Sequence, residues 1–123
     1  MDITIGEAEL EIMKVLWKAG VAVNSQYINS EVSERGWKRT TVATFLTRLC
    51  EKGAVKAEKM GSVYYYEALL SKAEYRKSQT KSLIRNLFDG SARELAAALF
   101  DEGLSHDDIE QLRKIFDEKE EQP

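Results

Sequence analysis

Ala8, Ile12, Val15 and Leu16 recur at helical spacing near the start of the chain, joined by Leu10, Met13 and Trp17. The pattern predicts a helix that is apolar over most of its circumference and therefore largely buried. Thr4-Ile5-Gly6-Glu7 before it reads as a capping box, with the Thr4 hydroxyl and Glu7 carboxylate meeting free backbone donors, and Ala19-Gly20 ends it. Val21-Ala22-Val23 is short and extended. Asn24 then suits the N-cap of a second helix over residues 25–35, with Tyr27, Ile28 and Val32 turned inward and Gly36 as its stop. From Arg39 to Lys52, Val42, Phe45, Leu46 and Leu49 again make one apolar face. Thr40, Thr44 and Thr47 fall on the opposite side, flanked by Thr41 and Arg48. Three β-branched residues on an exposed helix face lose rotamer freedom there, so something other than helix propensity selects them.

After Gly53 the period changes to two. Val55 to Lys59 and Val63 to Glu67 read as strands joined by a turn around Met60-Gly61-Ser62, a β-hairpin. Ser71 and Glu74 then form a capping box, with Leu70 and Tyr75 as its hydrophobic staple, for a helix that runs to Phe88 and stops at Asp89-Gly90. Ser91-Ala92-Arg93-Glu94 opens a shorter helix, and Leu104-Ser105-His106-Asp107-Asp108-Ile109 repeats the box and staple for a last one. The fold class is mainly α with a small β-hairpin. Three helices followed by a hairpin is the order of a winged helix-turn-helix, expected over residues 1–70. A helical dimerisation region with a short acidic tail is expected over residues 71–123.

About fifty residues is close to the size at which a lone core becomes marginal. Leu83, Ile84, Leu87, Phe88, Leu95, Leu99, Phe100, Leu112, Ile115 and Phe116 are more apolar surface than three short helices can hide among themselves. Burial against a second copy solves this, which predicts an obligate, intertwined homodimer through residues 71–119.

Composition narrows the chemistry. The chain has 123 residues, 43% of them hydrophobic and 32% charged, with seven Gly and one Pro, which suits a folded helical protein rather than a disordered one. A single cysteine, Cys50, excludes a disulfide framework and any zinc site of paired cysteines. His106 is the lone histidine, so no metal or other cofactor is expected. No His/Cys or Ser/His pairing and no Gly-rich phosphate loop is present, so the chain does not read as an enzyme. Neither a basic-then-apolar leader nor an eighteen-residue apolar run occurs, which points to a cytoplasmic protein without membrane insertion.

The net charge of −3 argues against a nucleic-acid partner until it is resolved along the chain. Residues 35–59 hold seven Lys and Arg against Glu51 and Glu58, whereas residues 101–121 hold nine acids against Arg113, Lys114 and Lys119. The functional candidate lies in the basic stretch. Lys38, Arg39, Thr40, Thr41 and Thr44 crowd the amino end of the third helix, where recognition helices meet base edges and phosphates. Threonine hydroxyls donate and accept and their methyls fit the thymine methyl, while Arg39 suits guanine or phosphate. Arg48 lies further along the helix, and Lys56 and Lys59 on the hairpin, beside a Gly turn, suit contact with the nucleic-acid backbone. A winged-helix protein-interaction module that binds an acidic protein partner through the same surface is the rival reading. Cys50 reads as a small hydrophobe, and Trp17 and Trp37 as wedges in the core.

Three stretches also carry a resemblance: Glu7 to Trp17 (EAELEIMKVLW), Thr41 to Gly53 (TVATFLTRLCEKG) and Gly61 to Tyr66 (GSVYYY), extended by Leu104 to Ile109. In the same order and over nearly the whole chain, they resemble the penicillinase repressor (BlaI/MecI/CopY) family. Membership would imply a dimeric winged-helix repressor on a palindromic, double-stranded DNA operator, commonly with TACA/TGTA half-sites. The family's reading residues fall on Lys38, Arg39, Thr40, Thr41 and Thr44, with wing contacts near Lys59 and Ser62. In the β-lactam-responsive members, a membrane sensor-protease system leads to cleavage in the short helix of the dimerisation region. Ala97-Ala98-Leu99-Phe100 stands there, with Leu99 and Phe100 in place of the Asn-Phe pair of the best-known members. The cysteine-rich metal site of the copper-responsive members has no counterpart after Cys50.

Overall fold

The computed structural model describes residues 3–121. Helix α1 spans Glu7–Ala19, strand β1 Val23–Asn24 and helix α2 Ser25–Glu31, which a 3-10 turn over Ser33–Arg35 extends. Helix α3 follows at Arg39–Glu51, then β2 at Val55–Met60 and β3 at Val63–Ala68. Helices α4 (Lys72–Phe88), α5 (Ala92–Asp101) and α6 (His106–Glu120) complete the order. The fold is mainly α with a small antiparallel sheet, and residues up to the hairpin form a winged helix-turn-helix.

The hairpin is one part of a three-stranded sheet in the order β1-β3-β2. Val23 and Asn24 pair with Tyr66 and Tyr65, a partnership that two residues of extended sequence could not announce. Val55 stands opposite Ala68 and Met60 opposite Val63, so the hairpin closes through Gly61-Ser62. Gly61 has φ +67°, the left-handed conformation such a tight turn needs and a side chain resists.

Two expectations are corrected. The Thr4/Glu7 capping box does not form, because α1 starts at Glu7 with Gly6 as its N-cap, and the Glu9 carboxylate accepts the Gly6 N–H at 2.9 Å. Tyr27 is exposed rather than inward: it lies about 100° around α2 from Ile28, the one residue of that helix that the core buries. Asn24 does cap α2, its side-chain oxygen accepting the Tyr27 N–H at 2.9 Å. Ser71 with Glu74 and Ser105 with Asp108 form the reciprocal caps of α4 and α6.

The described chain divides into two compact units, one reaching Ser78 and the other starting at Gln79. The core of the first joins Ile12, Met13 and Leu16 of α1 to Ile28, Val32, Val42, Leu46 and Leu49, and Ala54 and Val55 close it below the sheet. Each large side chain fully withdrawn from water there contributes about 1.5–3 kcal/mol. Trp17 sits at the edge of this core as expected, donating its Nε1–H to the Leu70 carbonyl at 2.8 Å, with its ring 5.8 Å from that of Tyr75. That contact keeps the first turn of α4 within the first unit. In the second unit no side chain of the three helices is buried, and α4, α5 and α6 scarcely pack against one another.

Candidate nucleic-acid interface

The approach to α3 is fixed by two local devices. Gly36, at φ +70°, turns the chain out of the 3-10 segment, and Trp37 packs its ring edge-on to Phe45 of α3, 5.2 Å between centroids. Lys38 is extended and serves as N-cap through its carbonyl alone, which accepts from Thr41 and Val42. The first turn of α3 contains no acid, so the unpaired N–H groups and the positive end of the dipole stay available to an anion.

Val42, Leu46 and Leu49 are buried, and this docks α3 with the other side outward. Lys38, Arg39, Thr40, Thr44 and Arg48 are all exposed, and Thr40, Thr44 and Arg48 run as one stripe at four-residue spacing. Thr41 stands half-buried at its margin. The Thr44 hydroxyl donates to the Thr40 carbonyl and the Thr47 hydroxyl to the Ala43 carbonyl, both at 3.0 Å. Each therefore spends its proton on the backbone and presents a methyl and oxygen lone pairs outward, so acceptor and apolar contacts, rather than donation, are what these positions offer.

A groove of about 950 Å³ lies between α2 and α3. Ser25, Gln26, Asn29, Ser30 and Ser33 line one wall, Arg39, Thr40 and Ala43 the other, and Val42, Leu46 and Tyr66 reach its floor. The polar wall from α2 was not among the residues singled out from the sequence. Its signal was the run of small polar side chains on a helix too short to need them for its own core.

The hairpin residues do not act as one group. Lys56 lies 3.6 Å from the Glu58 carboxylate on its own face of β2, which offsets its charge. Lys59 sits on the alternate face, opposite Tyr64, with its ammonium 5.8 Å from the ring centroid. Ser62 is exposed in the turn itself. Of the three tyrosines, Tyr66 packs against the core, Tyr65 is half-buried and Tyr64 is exposed near the tip.

Residues 5–118 match the family model described as penicillinase repressor. The chain belongs to the penicillinase repressor family. It is 29% identical over 116 residues to the methicillin resistance regulatory protein MecI of Mammaliicoccus sciuri, covering 94% of each chain. It is 30% identical to the penicillinase repressor of Bacillus licheniformis, covering 93% of this chain and 90% of that one. Among solved structures, the DNA-binding domain of the repressor BlaI superposes with a TM-score of 0.54 at 36% identity, over 61% of this chain and 94% of that one. The monomeric form of Bacillus licheniformis BlaI, solved in complex with the blaP half-operator, gives 0.51 at 37% identity, over 58% and 88%.

One buried charge in this penicillinase repressor family member ties α3 to α1. Glu9 is 5% exposed, and its carboxylate accepts from the Lys52 ammonium at the carboxyl end of α3 as well as from Gly6. Burial pushes the carboxyl up, but the Lys52 hydrogen bond, the Gly6 N–H and the charges of Lys52 and Arg48 outweigh it, and the pKa lies below the ordinary value of 4.5. The Cys50 thiol is shifted the other way, raised by burial and by the neighbouring Glu51, which lowers its thiolate fraction. Among the described residues no group of three or more His, Cys, Asp or Glu is placed to hold a metal ion, and no helix is long and apolar enough to cross a membrane.

The apolar residues assigned to dimerisation are all outside any buried core. Ile84, Phe88, Leu95 and Leu112 are half-buried, Leu83, Leu99 and Ile115 are exposed, and Leu87, Phe100 and Phe116 are 69%, 65% and 64% exposed.

Proposed function

We propose that this protein is a transcriptional repressor that binds operator DNA through the amino end of α3 and does so as a homodimer joined by its second unit. The observation that carries the DNA assignment is the outward stripe of α3. Its cations, threonine methyls and acid-free helix start stand on a fold 36–37% identical to BlaI DNA-binding structures, one of them solved with a half-operator. In this reading Arg39, Thr40, Thr41 and Thr44 meet base edges, Lys38 and Arg48 meet phosphate, and Lys59 and Ser62 on the wing, with the partly neutralised Lys56, touch the backbone. Such work places the protein in the cytoplasm and asks no catalytic chemistry of it.

Dimerisation has its support in the second unit. Six large apolar side chains of α4, α5 and α6 are exposed in a single chain, an arrangement that a matching copy would withdraw from water. Two α3 helices held by such a dimer would enter successive major grooves about 34 Å apart on one side of a palindrome. Leu99 and Phe100 lie exposed on α5. Cleavage between them, by a membrane sensor-protease system or another route, would detach α6 and release the operator.

Gel-shift titration against DNA selected from the genome by the protein itself tests the reading. Truncating Lys38, Arg39, Thr41 and Thr44 to alanine together should abolish selective binding, and Lys59→Ala alone should weaken every sequence alike and reduce the salt slope by about one. Unchanged operator binding after the fourfold truncation refutes the assignment. A dimer that protects no sequence at low salt favours the acidic-protein partner instead.

A further inference from the structure

A homodimer through the second unit leaves one charged surface without an occupant, and it lies on α4. From Lys72 to Arg85 that helix carries five cations against the single acid Glu74, in a chain whose net charge is −3. Lys77, Lys81 and Arg85 recur every four residues and so form one stripe, about 12 Å long. All three are exposed. None pairs with a carboxylate of the described residues, and Arg85 reaches the Ser82 hydroxyl at 3.5 Å. Like charges at four-residue spacing repel, so this stripe weakens its own helix unless an opposite surface meets it.

The opposite surface lies on α6. Asp117, Glu118 and Glu121 stand at the carboxyl end of that helix, exposed and outside every ion pair of the described residues. Further up α6, Glu110 already pairs with Arg113 and Asp107 accepts from Gln111. Negative charge at a helix carboxyl end is itself unfavourable against the dipole, which is a second reason to expect cations there. The acids follow directly on Ile115 and Phe116, both exposed, so charge and apolar surface are presented side by side.

We propose that the Lys77-Lys81-Arg85 stripe of one chain receives the acidic carboxyl end of α6 from a second copy, an electrostatic clasp that sets the register in which the apolar faces meet. The inference rests on the homodimer reading above. Duplex DNA is the other polyanion that could take such a stripe, and the attachment of α4 weighs against it. The Leu69 and Leu70 N–H groups donate to the Ala54 carbonyl just past α3, and Trp17 holds Leu70. Helix α4 therefore starts beside the carboxyl end of α3, about 20 Å along that helix from Arg39 and the reading end. Ion pairs add selectivity to an apolar interface by penalising wrong registers as well as favouring the right one.

Sedimentation equilibrium of the full chain between about 0.05 and 1 M salt tests the clasp. The wild-type dimer should weaken as salt rises. The double reversals K77E/K81E and D117K/E118K should each weaken self-association about tenfold at low salt, with unchanged helical circular dichroism. Mixing the two reversed chains should restore a heterodimer of near wild-type affinity, and K77R/K81R should behave as wild type. Reversed chains that self-associate normally, or a mixture with no preference for the heterodimer, overturn the clasp while leaving the homodimer standing. Normal dimerisation of K77E/K81E with lost operator affinity assigns the stripe to phosphate and also overturns it. A wild-type monomer at micromolar concentration removes the homodimer reading itself and the clasp with it.

Discussion

Replacing Glu9 by Gln removes one negative charge from beneath the amino end of α1 while leaving its shape and its capacity to accept the Gly6 N–H at 2.9 Å. What is lost is the ionic part of its contact with Lys52. Breaking a fully buried ion pair costs about 3–5 kcal/mol, because the partner is left charged and dry. Here the Lys52 side chain is 35% exposed and can regain water, so the larger part of that penalty falls away and the cost should be about 1–2 kcal/mol at pH 7. With a urea slope of about 1 kcal/mol/M for a domain of this size, the unfolding midpoint of the first unit should fall by roughly 1–2 M.

The dependence on pH gives the stricter test. The folded carboxyl has a pKa below 4.5 and the unfolded one lies near that value, so the stabilisation is complete above about pH 4.5 and is lost as pH falls through the folded pKa. The gap between wild type and Glu9→Gln should thus be constant from pH 7 to 5 and close on further acidification. Lys52→Met should show the same closure from a larger gap. It strands the carboxylate, costs more than Glu9→Gln at pH 7, and recovers toward wild type as acid neutralises the stranded group. Midpoints from urea titrations followed by tryptophan fluorescence decide the matter. A Glu9→Gln midpoint equal to wild type at pH 7, or a gap that persists unchanged at acid pH, refutes the role assigned to this pair.

Three further outcomes can be checked alongside. Thr44→Val, which loses the acceptor oxygen but keeps a methyl, should cost less operator discrimination in competition gel shifts than Thr44→Ala, which loses both and should cost about 1 kcal/mol. Trp17→Phe deletes the donor to the Leu70 carbonyl and should lower stability by about 1 kcal/mol in thermal unfolding, without altering the affinity of the folded protein for operator. Leu87→Glu should shift the wild-type dimer to monomer in sedimentation by well over tenfold, because a two-fold interface meets the substitution twice and each copy forfeits about 1.5–3 kcal/mol of burial.

The legible parts of the fold were those whose periodicity and burial coincide. Val42, Phe45, Leu46 and Leu49 announced both the existence of α3 and which side of it faces outward, and the outward side follows once the apolar side is pinned. The capping boxes at Ser71 and Ser105 were legible because their bonds are local, made three residues apart. Glu7 misled because the helix is capped at Gly6 and not at Thr4: the residue three positions on is then Glu9, which Lys52, forty-three residues away in sequence, also engages. Tyr27 turned out to face solvent because it lies about 100° around the helix from Ile28, the one position of α2 that the core buries.

The candidate site divides along the same line. Lys38, Arg39, Thr40 and Thr44 were visible as residue types at the start of a helix whose buried side was known. The polar wall of α2 was not, because Ser25, Gln26, Asn29 and Ser30 become a surface only when α3 crosses beside them. The separation of Lys56 from Lys59 depended on strand alternation and on Glu58 taking up the first of them, a contact between neighbours that the sum of charges had merged. In the second unit the sequence shows an excess of apolar residues and the single chain leaves that excess exposed. Sequence and structure agree there on a deficit rather than on a contact. A deficit names the kind of surface that must cover it: an apolar one, with cations where α6 ends and acids where α4 is basic. A second copy of the same chain meets all three conditions without any further component.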